Sequence, residues 1–77
     1  MITVDARGHR CPVPSLRLRN AMVEAGPAKR LTLLATDPMA RIDVPFLVEE
    51  MGGRMVGVED RDGVLHITVE TRGAPTA

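Results

Sequence analysis

Leu31-Thr32-Leu33-Leu34-Ala35-Thr36 is a run of aliphatic and β-branched residues, closed by Gly26-Pro27 on one side and Asp37-Pro38 on the other. A short apolar run bounded by turn residues reads as a strand. Working back from it, Leu18, Ala21, Met22 and Ala25 recur at i, i+3, i+4 and i+7, one face of an amphipathic helix. Gly26-Pro27 stops that helix. Pro12 and Pro14 fall at its start, where the first N–H groups have no intrahelical partner for proline to remove. A loop over residues 6–10, with Gly8 supplying flexibility, connects it to Ile2-Thr3-Val4-Asp5, whose apolar and polar residues alternate as in a strand.

Working forward, Asp37-Pro38 is a turn signal. Asp43 is predicted as the N-cap of a second helix, with Pro45 in its first turn. Val44, Leu47, Val48 and Met51 repeat the helical spacing, and Gly52-Gly53 ends it. Residues 54–60 and 64–71 read as strands joined by Arg61-Asp62-Gly63, in which Asp-Gly marks a hairpin. In the last strand Leu65, Ile67 and Val69 share one face, and His66, Thr68 and Glu70 the other. Met22 and Met51 sit at helical core positions. Leu34 and Met55 are assigned to the open side of the sheet.

The order is β-α-β-α-β-β. Right-handed crossovers make the strands of each β-α-β unit parallel and put both helices on one face of the sheet. The fold class is therefore α/β (α+β), a two-layer sandwich with one open sheet face. Residues 1–71 are expected to form a single domain, with 72–77 a flexible tail. Loops leaving the C-terminal ends of parallel strands share one edge. This brings Cys11 toward Asp37, Arg41 and Asp43.

Cys11 is the only cysteine, so no internal disulfide or dithiol cycle exists within the chain. Free cysteine titrates near about 8.5, and its thiolate is the nucleophile. A helix N-terminus and the cationic approach Arg7, His9, Arg10 favour the thiolate, while Asp5 and Asp37 oppose it. The balance predicts a lowered pKa. Since Pro12 and Pro14 have no N–H, the donors to the sulfur are expected from Val13, Ser15 and Leu16. No general base stands out, so the thiol is equipped to accept a group, hold it and pass it on.

Lys plus Arg equals Asp plus Glu, so the formal net charge is zero, and a dedicated nucleic-acid binder would show a basic excess. Nine of the ten basic residues are Arg, the residue better suited to interfaces. The start, Met-Ile-Thr-Val-Asp, does not read as a signal peptide, and no apolar run matches a membrane span. A cytoplasmic location is expected. His9 and Cys11 fall short of the four ligands of a closed metal site, and His66 lies on a distant strand, so no metal is expected. Arg17, Arg19 and Arg41 read first as solvated positions and second as a docking surface.

Val4-Asp5-Ala6-Arg7-Gly8-His9-Arg10-Cys11-Pro12-Val13-Pro14 resembles the signature of the TusA, or SirA-like, family. That signature has an Asp, a Gly three residues before the Cys, and Cys-Pro-x-Pro opening a helix. Thr36-Asp37-Pro38 through Arg41-Ile42-Asp43-Val44-Pro45 resembles the family's second loop and helix start. The resemblance covers about residues 2–71. It implies a mixed four-stranded sheet in order 1-2-4-3. It also implies a sulfur carrier that takes sulfane sulfur as a persulfide on Cys11, supported by Asp5, Gly8, Arg10, Pro12 and Pro14, with Asp37, Arg41 and Asp43 on the second loop, and with no cofactor. The implied donor is a cysteine desulfurase or rhodanese-like enzyme. The implied acceptor is a sulfur-relay protein or tRNA-modifying enzyme, serving tRNA thiolation, molybdenum cofactor maturation or sulfur oxidation. Arg17 and Arg19, where members often carry Lys, and His9, where an apolar residue is common, are departures at positions able to touch partners. The competing readings are a protein-binding regulatory module in which Cys11 is unused, and a thiol enzyme such as a small peroxidase or reductase. The lack of a resolving cysteine and of a base weighs against the latter.

Overall fold

The computed structural model describes residues 2–72. The elements run β1 (Ile2–Ala6), α1 (Val13–Ala25), β2 (Arg30–Ala35), α2 (Ala40–Glu50), β3 (Arg54–Arg61) and β4 (Val64–Glu70). They form one four-stranded sheet in the order β1-β2-β4-β3. β1 and β2 are parallel, from Ile2 opposite Leu31 to Ala6 opposite Ala35. β4 is antiparallel to both β2 and β3. The hairpin between β3 and β4 turns through Asp62 and Gly63, whose φ angles of 52° and 84° are both positive, as a type I′ turn requires.

The alternation of each strand sorts its side chains by face. Leu31, Leu33 and Ala35 of β2 and Leu65, Ile67 and Val69 of β4 are buried. They meet Leu18 and Met22 of α1 and Ala40, Val44 and Val48 of α2 in one core cluster. Burying an aliphatic side chain of this size contributes roughly 1.5–3 kcal/mol. With no Trp or Tyr in the chain, that aliphatic packing supplies nearly all of the drive to fold. Met55 differs from expectation. It pairs with Val69, a core-facing residue, and packs against the core. Leu34 lies opposite His66 on the open face, as expected.

The second helix also differs. It starts at Ala40, three residues before the expected cap, and Asp43 lies within its first turn while Pro45 is inside it. Pro45 has no N–H to give to the carbonyl of Arg41, a defect of the kind that destabilises helix interiors. The longer helix gains Ala40, which extends the buried stripe Ala40, Val44, Val48 by one turn. At the other end the N–H of Gly52 reaches the carbonyl of Glu49, and the N–H of Gly53 that of Val48. This is a Schellman ending. Gly53 also lies so close to β4 that a Cβ there would stand 2.5 Å from the carbonyl oxygen of Glu70.

The chain after β4 stays attached. The N–H of Thr71 bonds the carbonyl of Lys29 (2.8 Å), and the carbonyl of Arg72 accepts from Ala28 (3.1 Å). The rest of the expected tail lies outside the described residues. Among the described residues no helix is long and apolar enough to cross a membrane.

Candidate functional site: Cys11 between two crossover loops

The parallel pairing of β1 and β2 places the loops that follow them side by side. The N–H of Gly8, at φ 81°, donates to Oγ1 of Thr36 (2.9 Å). The N–H of Cys11 donates to Oδ2 of Asp37 (2.5 Å), and Sγ of Cys11 donates to Oδ2 of Asp43 (2.5 Å). These partners are 26 and 32 residues away in sequence. The expected approach of the Asp37 and Asp43 segment to Cys11 is what the fold produces. Thr36 was not singled out from sequence as a site residue. A hydroxyl at the end of a strand that feeds a turn was its signal.

Cys11 is exposed and free. It precedes α1, whose N-cap is Pro12 and whose second residue is the buried Pro14. The peptide bond between Cys11 and Pro12 is cis. The expected donors do not converge on the sulfur. The N–H of Val13 is taken by the carbonyl of Arg10 (2.9 Å), and that of Leu16 by Pro12 (3.0 Å).

Charge around the site also differs from expectation. Arg7 does not serve Cys11. Its side chain forks onto both carboxylate oxygens of Asp5 at 2.9 Å. The Arg7 side chain and N–H together hold the Asp5 carboxyl far below the usual carboxylate range. Arg17 reaches the Asp5 carbonyl at 3.1 Å. Arg10 acts on Asp37, whose carboxyl is lowered by N–H donation from Met39 and Cys11 and, more weakly, by the Arg10 charge. Among the described residues, the charges that act on the Cys11 thiol are those of the carboxylates Asp43 and Asp37. The thiol is pushed up from its ordinary value, first by the hydrogen bond to Asp43, then by desolvation, then by the charges of Asp43 and Asp37. The predicted lowering is thus reversed.

No side chain caps α2 in the way expected of Asp43, and Asp37 instead ties the loop just before it. Its Oδ1 accepts the N–H of Met39 (3.0 Å) while its Oδ2 holds Cys11. Asp43 is thereby free to turn its carboxylate to the thiol. Arg41 is exposed on α2 and lines a shallow depression with Thr36, Pro38, Asp60 and Leu65. A second depression of about 280 Å³, lined by Gly8, His9, Arg10, Thr36, Asp37 and Pro38, adjoins Cys11. Among the described residues, no three His, Cys, Asp or Glu side chains gather as a metal site.

An accessible thiol, with its backbone clamped and no second thiol in the chain, can carry a group but cannot close a disulfide on itself. The comparisons agree with that chemistry. The family model described as sulfurtransferase TusA matches residues 2–71. A candidate sulfur carrier protein of Archaeoglobus fulgidus is 41% identical over 71 residues, which is 91% of this chain and 92% of its own length. The sulfur carrier protein TusA of Pseudomonas aeruginosa is 33% identical over 60 residues, covering 78% of this chain and 76% of that protein. The crystal structure of a SirA-like protein from Desulfitobacterium hafniense superposes with a TM-score of 0.81 at 34% identity, over 90% of this chain and 95% of that one. With its sheet order, its clamped single thiol and a family match spanning nearly its whole length, the chain belongs to the TusA family.

Proposed function

We propose that this protein accepts sulfane sulfur as a persulfide on Cys11 and relays it to an acceptor, acting as a carrier rather than as a turnover enzyme. The observation that carries the reading is the exposed, free thiol of Cys11 between two loops that fix its backbone. In the loading step the Cys11 sulfur attacks the outer sulfur of a donor persulfide. The donor's S–S bond breaks, its cysteine leaves as a thiol, and the Cys11 proton is passed on in exchange. Cys11 is oxidised to a persulfide and the donor is reduced. Discharge repeats the exchange with an acceptor thiol. The donor is a cysteine desulfurase or rhodanese-like enzyme. The acceptor is a sulfur-relay protein or tRNA-modifying enzyme in tRNA thiolation, molybdenum cofactor maturation or sulfur oxidation, and the setting is cytoplasmic. Asp5, Gly8, Arg10, Pro12 and Pro14 shape the Cys11 loop, and it is faced by Asp37 of the second loop and by Arg41 and Asp43 at the start of α2.

One observation favours a second reading, a protein-binding regulatory module in which Cys11 is unused. The hydrogen bond to Asp43 pushes the Cys11 thiol up from its ordinary value rather than down. Intact-mass spectrometry separates the two. Incubated with a desulfurase and cysteine, or with a rhodanese and thiosulfate, the protein is expected to gain one sulfur atom that a thiol reductant removes. Cys11→Ser is expected to abolish the adduct without changing the far-ultraviolet circular dichroism. A folded protein with free Cys11 that gains no sulfur from either donor class would leave the regulatory reading standing.

A further inference from the structure

We infer that Asp43 is a positioning residue that guards Cys11, holding its S–H in a hydrogen bond so that the carrier reacts slowly with small electrophiles and oxidants when no partner is docked. The inference rests on the carrier reading and deepens it. Its geometry is the donation from Sγ of Cys11 to Oδ2 of Asp43 at 2.5 Å. Asp43 is set on a rigid base, since its own N–H is bonded to the carbonyl of Met39 at 2.9 Å within the first turn of α2.

Other titratable and charged groups stand on the elements around the thiol. From its own loop come His9 and Arg10, and Arg10 acts on Asp37. From β1 comes Asp5, paired with Arg7 of the turn that follows the strand. From α1 comes Arg17, bonded to the Asp5 carbonyl. From the β2–α2 loop comes Asp37, which binds the Cys11 backbone and adds a second negative charge. A thiol whose proton rests against a carboxylate exposes less thiolate, the form that alkylating agents and peroxides attack. For a carrier this is selectivity. An exposed thiolate would be lost to oxidation before it met its donor.

The test is the pH profile of Cys11 alkylation by iodoacetamide, which uses no sulfur donor. Asp43→Asn keeps the shape and removes the charge. Each pKa unit lost raises the thiolate fraction about tenfold below the pKa, and the accompanying fall in intrinsic nucleophilicity takes back roughly 0.4 to 0.5 of a decade. The expected result is a profile displaced to lower pH and alkylation about threefold faster at pH 7 per unit of displacement. Asp43→Glu is expected to restore most of the wild-type profile. Asp37→Asn, which touches the backbone and not the sulfur, is expected to displace it less. An Asp43→Asn profile that coincides with wild type, or moves to higher pH, would overturn the guard, provided circular dichroism shows a folded variant; should Asp43→Asn unfold, Asp43→Ser takes its place in the same assay. Failure here leaves the carrier reading intact, whereas absence of sulfur loading in the wild type leaves the guard intact.

Discussion

The two ends of the sheet solve the same problem, a carboxylate near other chain segments, in opposite ways. At the end where β2 begins and β4 finishes, Glu70 is almost buried and is bracketed by Arg30 and Arg54 across the neighbouring strands. The nearer contact is between Arg54 and Glu70, with the Arg30 pair at 2.9 Å. Both guanidinium groups hold the Glu70 carboxyl below its usual value. At the end where β1 and β2 finish, Asp37 and Asp43 meet backbone N–H groups and a thiol instead. A carboxylate matched by fixed positive charge is a clasp between strands. One matched by weak, titratable or neutral donors leaves its field to act on its neighbours. The fold thus sets a charge-paired carboxylate at one end of the sheet and the exposed thiol with its two carboxylates at the other, joined by one core.

The sharpest way to break this division is to weaken the shared core. Leu33 is fully buried between the helices and the sheet, and Leu33→Ala is expected to cost about 2–5 kcal/mol in urea unfolding. A loss below 1 kcal/mol would show that the centre of the sheet repacks freely. Next comes the clasp end itself. In Gly53→Ala the new Cβ would meet the Glu70 carbonyl at 2.5 Å and Met22 and Val48 at 3.2 Å, an overpacking worth about 1–3 kcal/mol. That loss should leave the alkylation rate of Cys11 in the folded protein unchanged.

The charge of the clasp is tested by Glu70→Gln, expected to lower Tm at neutral pH. Because Glu70 titrates lower in the folded state than in the unfolded chain, its pairs stabilise fully above about pH 4.3 and lose their effect as pH falls through the depressed folded value. Wild-type and variant Tm should therefore converge below that window. A gap of constant size from pH 7 to pH 2 would assign the effect to packing rather than charge. The smallest effect on stability is expected from Asp37→Ala at the reactive end. Its readout is hydrogen exchange, with the amides of Cys11 and Met39 losing protection while the β4 amides keep theirs.

The sequence makes one half of this comparison far more legible than the other. Strand order along the chain, the crossovers and the shared edge follow from local periodicity and handedness, which need only neighbouring residues. The start of α2 lies earlier than the sequence predicts because Pro45 and Asp43 together imitate a helix beginning. The spacing of Ala40, Val44 and Val48 was the signal against it, weak because alanine is small. The thiol's environment departs from expectation for a different reason. Arg7 and Arg10 are close to Cys11 in sequence, but Arg7 is paired with Asp5 and the charge of Arg10 acts on Asp37, while the groups that reach Cys11 come from 26 and 32 residues away. Side-chain allegiance of that kind is a tertiary property and leaves no mark on spacing. The clasp was equally hidden, because Arg30, Arg54 and Glu70 meet only once the register of three strands is set.

The bulge in β3 has a consequence of its own. The register with β4 shifts between Met55 and Gly57, so one strand residue, Val56, has no opposite number. β3 is an outer strand with Val56 and Val58 exposed and Arg54, Glu59, Asp60 and Arg61 along it. A long, flat, apolar border would recruit strands from other chains and seed fibrils. An interrupted, charged border twists away from such pairing. On this border of the sheet the bulge and the charges act together against strand addition from another chain.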